Sequence, residues 1–200
     1  MKARIITIAT LFVLALGTTN FTYAAPVKDQ AYVTLTDVSN INKIEVYGNV
    51  ELYISDAATD QVKVYNQYYS ESALVQNKNG VLRISSYKNE KLVVWVSAND
   101  LRSVTAYDNA EIKSYGDLSK IEFNVDLHNN ASATLNIDAF ATNVSLADHA
   151  KANLTGRTED LTLNRNFSSS VNSYKLAAAH VTDHKVKTVA DVKNEDIAGL

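Results

Sequence analysis

The sequence predicts an all-β fold, a β-helix or solenoid with rungs of about 20 residues, and allows an antiparallel hairpin in its N-terminal half. Three observations carry this prediction. Four stretches repeat one alternation of apolar and polar residues in the same phase. Only 1 Pro and 6 Gly occur in 200 residues, too few for a β-sandwich, which turns roughly every 8 to 12 residues. The chain has no Cys, so burial and backbone pairing must stabilise it without disulfides.

The N-terminal residues 1–24 have the pattern of a secretory signal peptide. Lys2 and Arg4 precede an apolar run of about 12 residues, and a small-x-small pattern ends at Ala24. The run is too short to span a bilayer, which takes about 20 residues, although an uncleaved anchor is the alternative. We expect cleavage after Ala24, export to the periplasm, outer surface or extracellular space, and no stable membrane span afterwards.

The remaining composition suits one globular domain. Hydrophobic residues make up 46% of the chain and charged residues 20%, which is ordinary for a domain with a sizeable core. We predict a single β-helical domain over residues 25–200, with a repeat body at 44–175 and a degenerate C-terminal coil or cap at 176–200. The formal net charge of −3, without a basic cluster, argues against nucleic acid as a partner.

The repeat is the main evidence for stacked rungs. The aligned stretches are 44–54, 104–114, 125–135 and 144–154. Their small apolar anchors are Val50, Ala110, Ala131 and Ala150. Period-2 alternation sends one set of side chains into a core and the other into solvent. The predicted inward columns are Ile44, Val104, Val125 and Val144; Val46, Ala106, Leu127 and Leu146; Leu52, Ile112, Ala133 and Ala152; and Ile54, Ser114, Leu135 and Leu154.

Each copy contains a polar corner between its two strands. The first corner column is Gly48, Asp108, Asn129 and Asp148, and the second is Asn49, Asn109, Asn130 and His149. Gly, Asn and Asp tolerate left-handed backbone and hydrogen-bond the main chain in tight turns. We therefore predict a corner ladder of these eight residues, which fixes register and is secondary to the apolar columns because each bond contributes only about 0.5–1.5 kcal/mol.

Two stretches outside the four copies give weaker predictions. Residues 81–96 resemble a hairpin, two apolar strands joined by 87–91. A fainter fifth copy follows at Leu161 and Leu163, with Phe167 in the anchor position and a shorter spacing of about 17 residues.

A resemblance to a known family rests on short patterns within residues 44–171. They are Gly80-Val81-Leu82-Arg83-Ile84, Leu92-Val93-Val94-Trp95-Val96 and Leu101-Arg102-Ser103-Val104. The chain resembles the auto-transporter adhesins with a head GIN domain (DUF2807-like), which are common in Bacteroidetes-type envelopes. The resemblance implies a right-handed β-helix with a strand-rich start. The Ser-Gly corners of the family are replaced here by Asp-Asn-Ala, and the closing glycine motif is missing.

The polar residues do not compose a catalytic or metal site by sequence. His180 and His184 have metal-ligand spacing on a helix, but solvated histidines explain the pair better. Asp108 and Asp148 would lie two rungs apart, at a separation compatible with paired glycosidase carboxylates, although spaced turn residues are the favoured interpretation. We predict no catalytic residues, no metal and no cofactor.

The tyrosines suggest one candidate binding patch. Tyr65, Tyr68, Tyr69 and Tyr87, together with Trp95, could form an aromatic platform for a glycan or peptide. The competing interpretation places Trp95 in the core and treats the tyrosines as ordinary outward strand residues.

The function that these features favour is an exported, non-enzymatic β-helical protein of the cell envelope, an adhesin or binding surface. Its partner would be an envelope glycan or an envelope protein, because an elongated repeat surface suits extended ligands. The alternative is a carbohydrate-active β-helix enzyme, a lyase or hydrolase, which would need clustered charges on one outward face.

Overall fold

The computed structural model describes residues 32–35, 38–65 and 73–186. Within these ranges all regular structure is β, without a helix, which confirms the predicted all-β class. The strands are β1 Val33–Leu35, β2 Lys43–Gly48, β3 Val50–Asp56, β4 Gln61–Tyr65, β5 Ala73–Lys78, β6 Val81–Ser86, β7 Leu92–Ala98, β8 Ser103–Ala106, β9 Glu111–Ser114, β10 Leu118–Leu127, β11 Ser132–Leu146, β12 Lys151–Asn166 and β13 Ser170–Val186. The predicted signal peptide, 1–24, lies outside the described residues.

The strands form one sheet that curls into a half-barrel. One arm runs from β11 through β9, β3, β7 and β4 to β1, and the other runs from β11 through β10, β8, β2 and β6 to β5. β12 and β13 continue from β11 in parallel. The same long strands therefore contribute to both arms, and the interior of the curl holds the core.

The predicted columns are direct neighbours in parallel pairs. Val125 pairs with Val104 on one side and with Val144 on the other, and Ile44 pairs with Val104. Of the sixteen predicted inward residues, all but Ser114 are buried, and the four anchors are fully so. Like columns meet because strands in a sheet lie about 4.8 Å apart and side chains alternate between its faces.

The alternation along β8 predicts that Thr105 faces outward into solvent, but this residue is only 5% exposed. It points outward from β8, which is paired on both sides, with β2 and β10. A short side chain in such a central strand is covered by its longer neighbours, here Glu45 and Asp126 in the same row.

The predicted hairpin over residues 81–96 is wrong in its location. β6 pairs with β2 and β7 with β3, both in parallel, and β6 does not pair with β7. Residues 87–91 are instead a wide corner opposite Asn49: the Asn49 N–H donates to the Ser86 carbonyl at 2.7 Å, and the Leu92 N–H donates to the Asn49 carbonyl at 3.0 Å. A five-residue corner and a hairpin loop have the same composition, so the sequence does not distinguish them.

Antiparallel pairing does occur in the N-terminal half, in three other places. β5 pairs with β6, β4 with β7, and β1 with β4. The β5–β6 hairpin turns at Asn79 and Gly80, whose φ angles are 52° and 79°. Positive φ at both central residues is the mark of the tight Asn-Gly hairpin turn.

The fifth copy keeps the spacing of the earlier ones, so its predicted register is wrong. Leu163, not Leu161, pairs with Val144. The anchor position is taken by Ser169, 7% exposed, whereas Phe167 is 47% exposed. The sequence prediction put Phe167 at the anchor position because it is the large apolar residue nearest to where the anchor was expected.

Strand β13 continues the pairing into the predicted C-terminal coil or cap, as far as Val186. Along the inward column, Leu146 is followed by Arg165. Arg165 forms a two-point ion pair with Asp183, at 2.9 and 2.5 Å. Charged side chains thus follow aliphatic ones at the ends of β12 and β13, and the remaining residues of the predicted cap, 187–200, lie outside the described part.

Candidate binding surface

The first corner column is joined by hydrogen bonds from the backbone of each corner to a side chain of the next. The Gly48 N–H donates to Asp108 Oδ2 at 3.1 Å, the Asp108 N–H to Asn129 Oδ1 at 3.2 Å, and the Asn129 N–H to Asp148 Oδ2 at 3.0 Å. Each side chain therefore satisfies a backbone donor of the neighbouring corner, which would otherwise need solvent.

All four residues of that column have left-handed backbone. The φ angles of Gly48, Asp108, Asn129 and Asp148 are 83°, 61°, 58° and 56°. Asp and Asn adopt this region more readily than other non-Gly residues. The sign of φ is thus the same at all four corners, and at the last three a backbone bond closes the turn, such as the Ala131 N–H to the His128 carbonyl at 3.0 Å.

The second corner column lies further out. Asn109, Asn130 and His149 are exposed, and Asn49 is half-buried. Their backbone groups continue the pairing, since the Asn130 N–H donates to the Asp108 carbonyl and the His149 N–H to the Asn129 carbonyl, both at 2.9 Å. The structure thus brings all eight predicted corner residues to one edge of the curl.

A stack of rings stands beside the corner on the outer face. The rings of Tyr47 and Tyr107 lie 4.7 Å apart and are nearly parallel, and Tyr107 and His128 lie 4.6 Å apart. His128 Nε2 is 3.0 Å from Asp126 Oδ1. Aromatic pairs at these separations stabilise by about 0.5–1.5 kcal/mol beyond burial, so the stack supports the same register as the corner ladder.

A larger group of aromatic side chains covers the outer face of the other arm, on β3, β4 and β7 and directly beside β1 and β9. We call it the aromatic cluster and define it as Tyr32, Tyr53, Tyr65, Trp95 and Tyr115. Trp95 is its centre: it stacks on Tyr53 at 4.7 Å and contacts Tyr115 at 5.2 Å and Tyr65 at 6.4 Å. Tyr32 contacts Tyr65 at 5.1 Å.

The register of the strands explains this gathering. Trp95 lies between Lys63 of β4 and Tyr53 of β3, and Tyr53 lies beside Lys113 of β9. Residues of one row share a face because paired strands present the same side at paired positions. Trp95 is therefore an outward, half-buried residue, and the interpretation that placed it in the core is wrong.

Charged side chains border the aromatic cluster. Lys113 Nζ lies 2.7 Å from Glu51 and 2.9 Å from Glu111, and Lys91 Nζ lies 3.1 Å from Glu111. The Tyr53 hydroxyl donates to Glu51 at 2.7 Å. Charged hydrogen bonds of this kind are short and directional, so the carboxylates are held in fixed positions beside the rings.

These contacts shift the protonation equilibria of their partners. The Lys113 ammonium and the Tyr53 hydroxyl lower the pKa of Glu51, and Lys113 and then Lys91 lower the pKa of Glu111. Both carboxylates in turn raise the pKa of Lys113, and the bond to Glu51 raises the pKa of Tyr53. At neutral pH Glu51, Glu111 and Lys113 are therefore charged.

The predicted aromatic patch is assembled only in part. Tyr65 belongs to the aromatic cluster, whereas Tyr68 and Tyr69 lie outside the described residues. Tyr87 is 75% exposed in the wide corner next to Gly48 and shares no ring contact with the described cluster residues. Sequence analysis missed Tyr32, Tyr53 and Tyr115, which are distant in sequence from Tyr65; the alternation that turns Tyr53 outward was the only available signal.

The structure also gives the positions of the histidines and aspartates that were considered for metal binding or catalysis. His180 and His184 lie on strand β13, so they do not share a helical face. In the part of the chain that the structure describes, no group of three or more His, Cys, Asp or Glu side chains could hold a metal ion. Asp108 and Asp148 each accept a backbone N–H in the corner ladder.

A polar cavity of about 510 Å³ lies where β10 begins, on the opposite side of the core from the corners. Its charged lining is paired within the protein: Arg102 binds Asp100, and Lys120 Nζ lies 2.6 Å from Asp56.

Across the described ranges, the structure has no helix with the length and apolarity to cross a membrane.

Together these features define an all-β protein with an aliphatic interior and a polar, aromatic outer surface. The chain belongs to the family described as "Putative auto-transporter adhesin, head GIN domain", whose model matches residues 40–193. This confirms the family resemblance found in the sequence. A search of the curated proteins finds no match.

Solved structures with the same fold include proteins of two Parabacteroides species. A "putative adhesin" of Parabacteroides distasonis is 15% identical, with 80% of each chain covered and a TM-score of 0.56. A "Putative lipid binding protein" of the same organism is 11% identical, with 76% of each chain covered and a TM-score of 0.55. A "putative adhesin" of Parabacteroides merdae is 14% identical, covering 76% of this chain and 75% of that one, with a TM-score of 0.53. At such identities the likeness shows the fold alone.

Proposed function

We propose that this chain is an exported, non-enzymatic binding protein of the cell envelope, a right-handed β-helix whose outer face binds a glycan or another envelope protein. The aromatic cluster carries the proposal. Monomeric proteins seldom place a Trp and several Tyr together on an outer sheet face, and such groups mark interaction sites.

The parallel pairing supports the coiled architecture. Val104, Val125, Val144 and Leu163 are successive neighbours across four strand segments, as a chain that advances by one rung per turn requires. The adhesin description of the family and the adhesin titles of two structural relatives support a binding role at the envelope. The signal-peptide pattern of residues 1–24 supports export.

The position of the acidic residues favours binding over catalysis. The carboxylates considered for glycoside cleavage, Asp108 and Asp148, are occupied as acceptors in the corner ladder. Catalytic carboxylates instead face a substrate across a gap, with one of them kept protonated. The outward-facing positions beyond the corner ladder carry both positive and negative side chains. They therefore do not provide the clustered like charges that a lyase needs.

The test is to apply the purified protein to a glycan array and to an extract of envelope proteins, with a parallel assay for released reducing sugar. Binding to either ligand class without sugar release is the expected result. Sugar release would identify the carbohydrate-active enzyme instead. Absence of binding to both classes would contradict the proposal.

A further inference from the structure

We propose that the aromatic cluster is a binding platform for an acidic glycan, a chain of pyranose rings that carry carboxylates. This inference deepens the proposed function and rests on it. It chooses between the two ligand classes left open there, glycan and protein, and it specifies the charge of the ligand.

The arrangement of the rings suits sugars. Tyr32, Tyr65, Trp95 and Tyr115 follow one another with centroid separations of 5.1, 6.4 and 5.2 Å, and successive rings are tilted by 40°, 58° and 57°. The two end rings, Tyr32 and Tyr115, are 51% and 66% exposed. Tilted, exposed rings offer their faces to a ligand, and the C–H groups of a pyranose pack on such faces while its hydroxyls stay solvated.

The surroundings of the rings are polar, as sugar hydroxyls require. In the row next to Trp95, Gln61 and Ser55 flank Ser97 on the neighbouring strands, and the Ser55 and Ser97 hydroxyl oxygens are 3.0 Å apart. On the other side of the cluster, the Glu51 carboxylate accepts bonds from Lys113 and Tyr53. A few fixed polar groups around an apolar floor give a small-ligand site its orientation and specificity.

A protein partner seated on the rings would have to bury part of this charged border as well. The centre of a protein interface is depleted of charged residues, because charges removed from water carry a large desolvation penalty. Here Glu51, Glu111 and Lys113 form an ion-pair network directly beside the rings. A sugar leaves such groups hydrated or supplies hydroxyls in place of water.

The local charge indicates an anionic ligand. Lys63, Lys91 and Lys113 border the aromatic cluster, against the two carboxylates Glu51 and Glu111. Within the described ranges Lys63 has no carboxylate partner at ion-pair distance, and its Nζ lies 5.2 Å from the centre of the Tyr32 ring. Lys63 Nζ lies over the Tyr32 ring in a cation–π contact, and a carboxylate on a sugar bound beside that ring would meet an ammonium group that no carboxylate of the described residues neutralises.

The experiment compares one acidic ligand with its neutral counterpart. Binding of oligogalacturonate and of fully methyl-esterified oligogalacturonate is measured by titration calorimetry for the wild type and three variants. Tyr115→Ala removes an exposed ring of the cluster. Lys63→Gln removes the charge. Tyr174→Ala is the matched control, since Tyr174 is 93% exposed on β13, outside the cluster.

We expect the wild type to prefer the acidic ligand. Tyr115→Ala should weaken binding of it by on the order of 10-fold, and Tyr174→Ala should leave it unchanged. Lys63→Gln should reduce the preference for the acidic over the neutral ligand by about 2- to 5-fold, in line with the strength of an exposed charge contact. If Tyr115→Ala does not fold, Tyr32→Ala tests the other exposed ring in the same way.

Equal binding of the two ligands, no binding of either, or an acidic preference that survives both cluster variants would overturn the inference. Its failure is distinguishable from failure of the proposed function. Array or envelope-protein binding that Tyr115→Ala does not affect would leave the proposed function standing with a different surface, whereas a protein that binds nothing loses both.

Discussion

At the corner between two strands, a single residue type performs two tasks. Asp148 holds left-handed backbone, with φ at 56°, and its carboxylate accepts the Asn129 N–H. Asn and Asp are among the few residues that suit both tasks, which explains why Asp108 and Asn129 occupy the same column. Ala would strain the backbone and leave the N–H without its acceptor, whereas Gly would only remove the acceptor.

We therefore predict a graded loss of stability at this position. Asp148→Asn should unfold at nearly the wild-type urea concentration, Asp148→Gly should lose about 1 kcal/mol, and Asp148→Ala about 2 kcal/mol. Urea unfolding followed by circular dichroism measures all three. Equal stability of the Ala variant and the wild type would show that the corner ladder does not contribute to the fold.

The contribution of the Glu51 carboxylate to the stability of the fold depends on pH. Contacts with Lys113 and Tyr53 hold its pKa in the folded protein below the ordinary 4.5. The contacts of the ionised Glu51 therefore stabilise the folded state fully above about pH 4.5. This stabilisation is lost as the pH falls through the lower pKa that Glu51 has in the folded protein. Lys113 stays charged across this range, since its own pKa is raised.

The corresponding prediction compares the wild type with Glu51→Gln. The variant should have a lower thermal midpoint at pH 7, and the difference should shrink steadily as the pH is lowered below about 4.5. High salt at pH 7 should reduce the difference as well, because it screens the half-exposed ion pairs. A difference that is constant from pH 7 to pH 3 would contradict this account of Glu51.

At the scale of the strand, close stacking restricts certain positions in the middle of β12. Gly156 pairs with Ile137 of β11 and Leu176 of β13. Its φ is 101°, and a Cβ built there would lie 2.1 Å from the Ile137 carbonyl oxygen. Gly116 also has positive φ, at 80°, but a Cβ there would meet open space. A substitution at Gly116 would therefore introduce backbone strain alone, whereas one at Gly156 would introduce both strain and steric overlap.

We expect Gly156→Ala to destabilise the protein much more than Gly116→Ala. The second change adds only the strain of left-handed backbone, about 1 kcal/mol. The first adds the displacement of a neighbouring strand, which should raise the loss above about 3 kcal/mol. Thermal unfolding of the two variants measures the contrast. Equal midpoints would mean that β11 and β12 do not approach each other as the structure shows.

Along the strands, alternation was enough to predict the core. Ile44, Leu127 and Ala152 are buried as expected because one face of each strand must leave water. The sequence did not predict that residues 81–98 stack on the far side of β2 and β3. Each of these strands presents a similar aliphatic face, so composition does not determine the order in which the strands pair.

At the scale of the whole molecule, the candidate site was harder to predict than the fold. The aromatic cluster joins residues from 32 to 115, brought together by strand register and not by proximity in the chain. The sequence proposal grouped Tyr65 with its neighbours Tyr68 and Tyr69 and added Tyr87. It missed Tyr53 and Tyr115 because only the pairing of β3 with β7 and β9 places them beside Trp95.

The same register determines where the aliphatic core ends. Leu146 is followed in its column by Arg165, whose guanidinium binds Asp183. A charged pair between the ends of β12 and β13 tolerates water, whereas a leucine there would expose an apolar surface to other chains. The described part of the molecule thus has an aliphatic interior, a charged pair where that interior ends and an aromatic cluster on one outer face.

The most direct test of the stacked register uses the absence of cysteine in this chain. Ser132 and Lys151 are paired neighbours on β11 and β12, and Asn153 lies two residues further along β12. Paired strands are about 4.8 Å apart, within the Cα separation of about 4.4–6.8 Å that a disulfide requires. A two-residue offset lies beyond that range.

The measurement is disulfide formation under mild oxidation in two double variants, scored by non-reducing electrophoresis and peptide mapping. The variant Ser132→Cys with Lys151→Cys should cross-link rapidly and remain folded, and Ser132→Cys with Asn153→Cys should not. Preferential cross-linking of the offset pair, or equal cross-linking of both pairs, would contradict the in-register neighbours on which the core, the corner ladder and the aromatic cluster all depend.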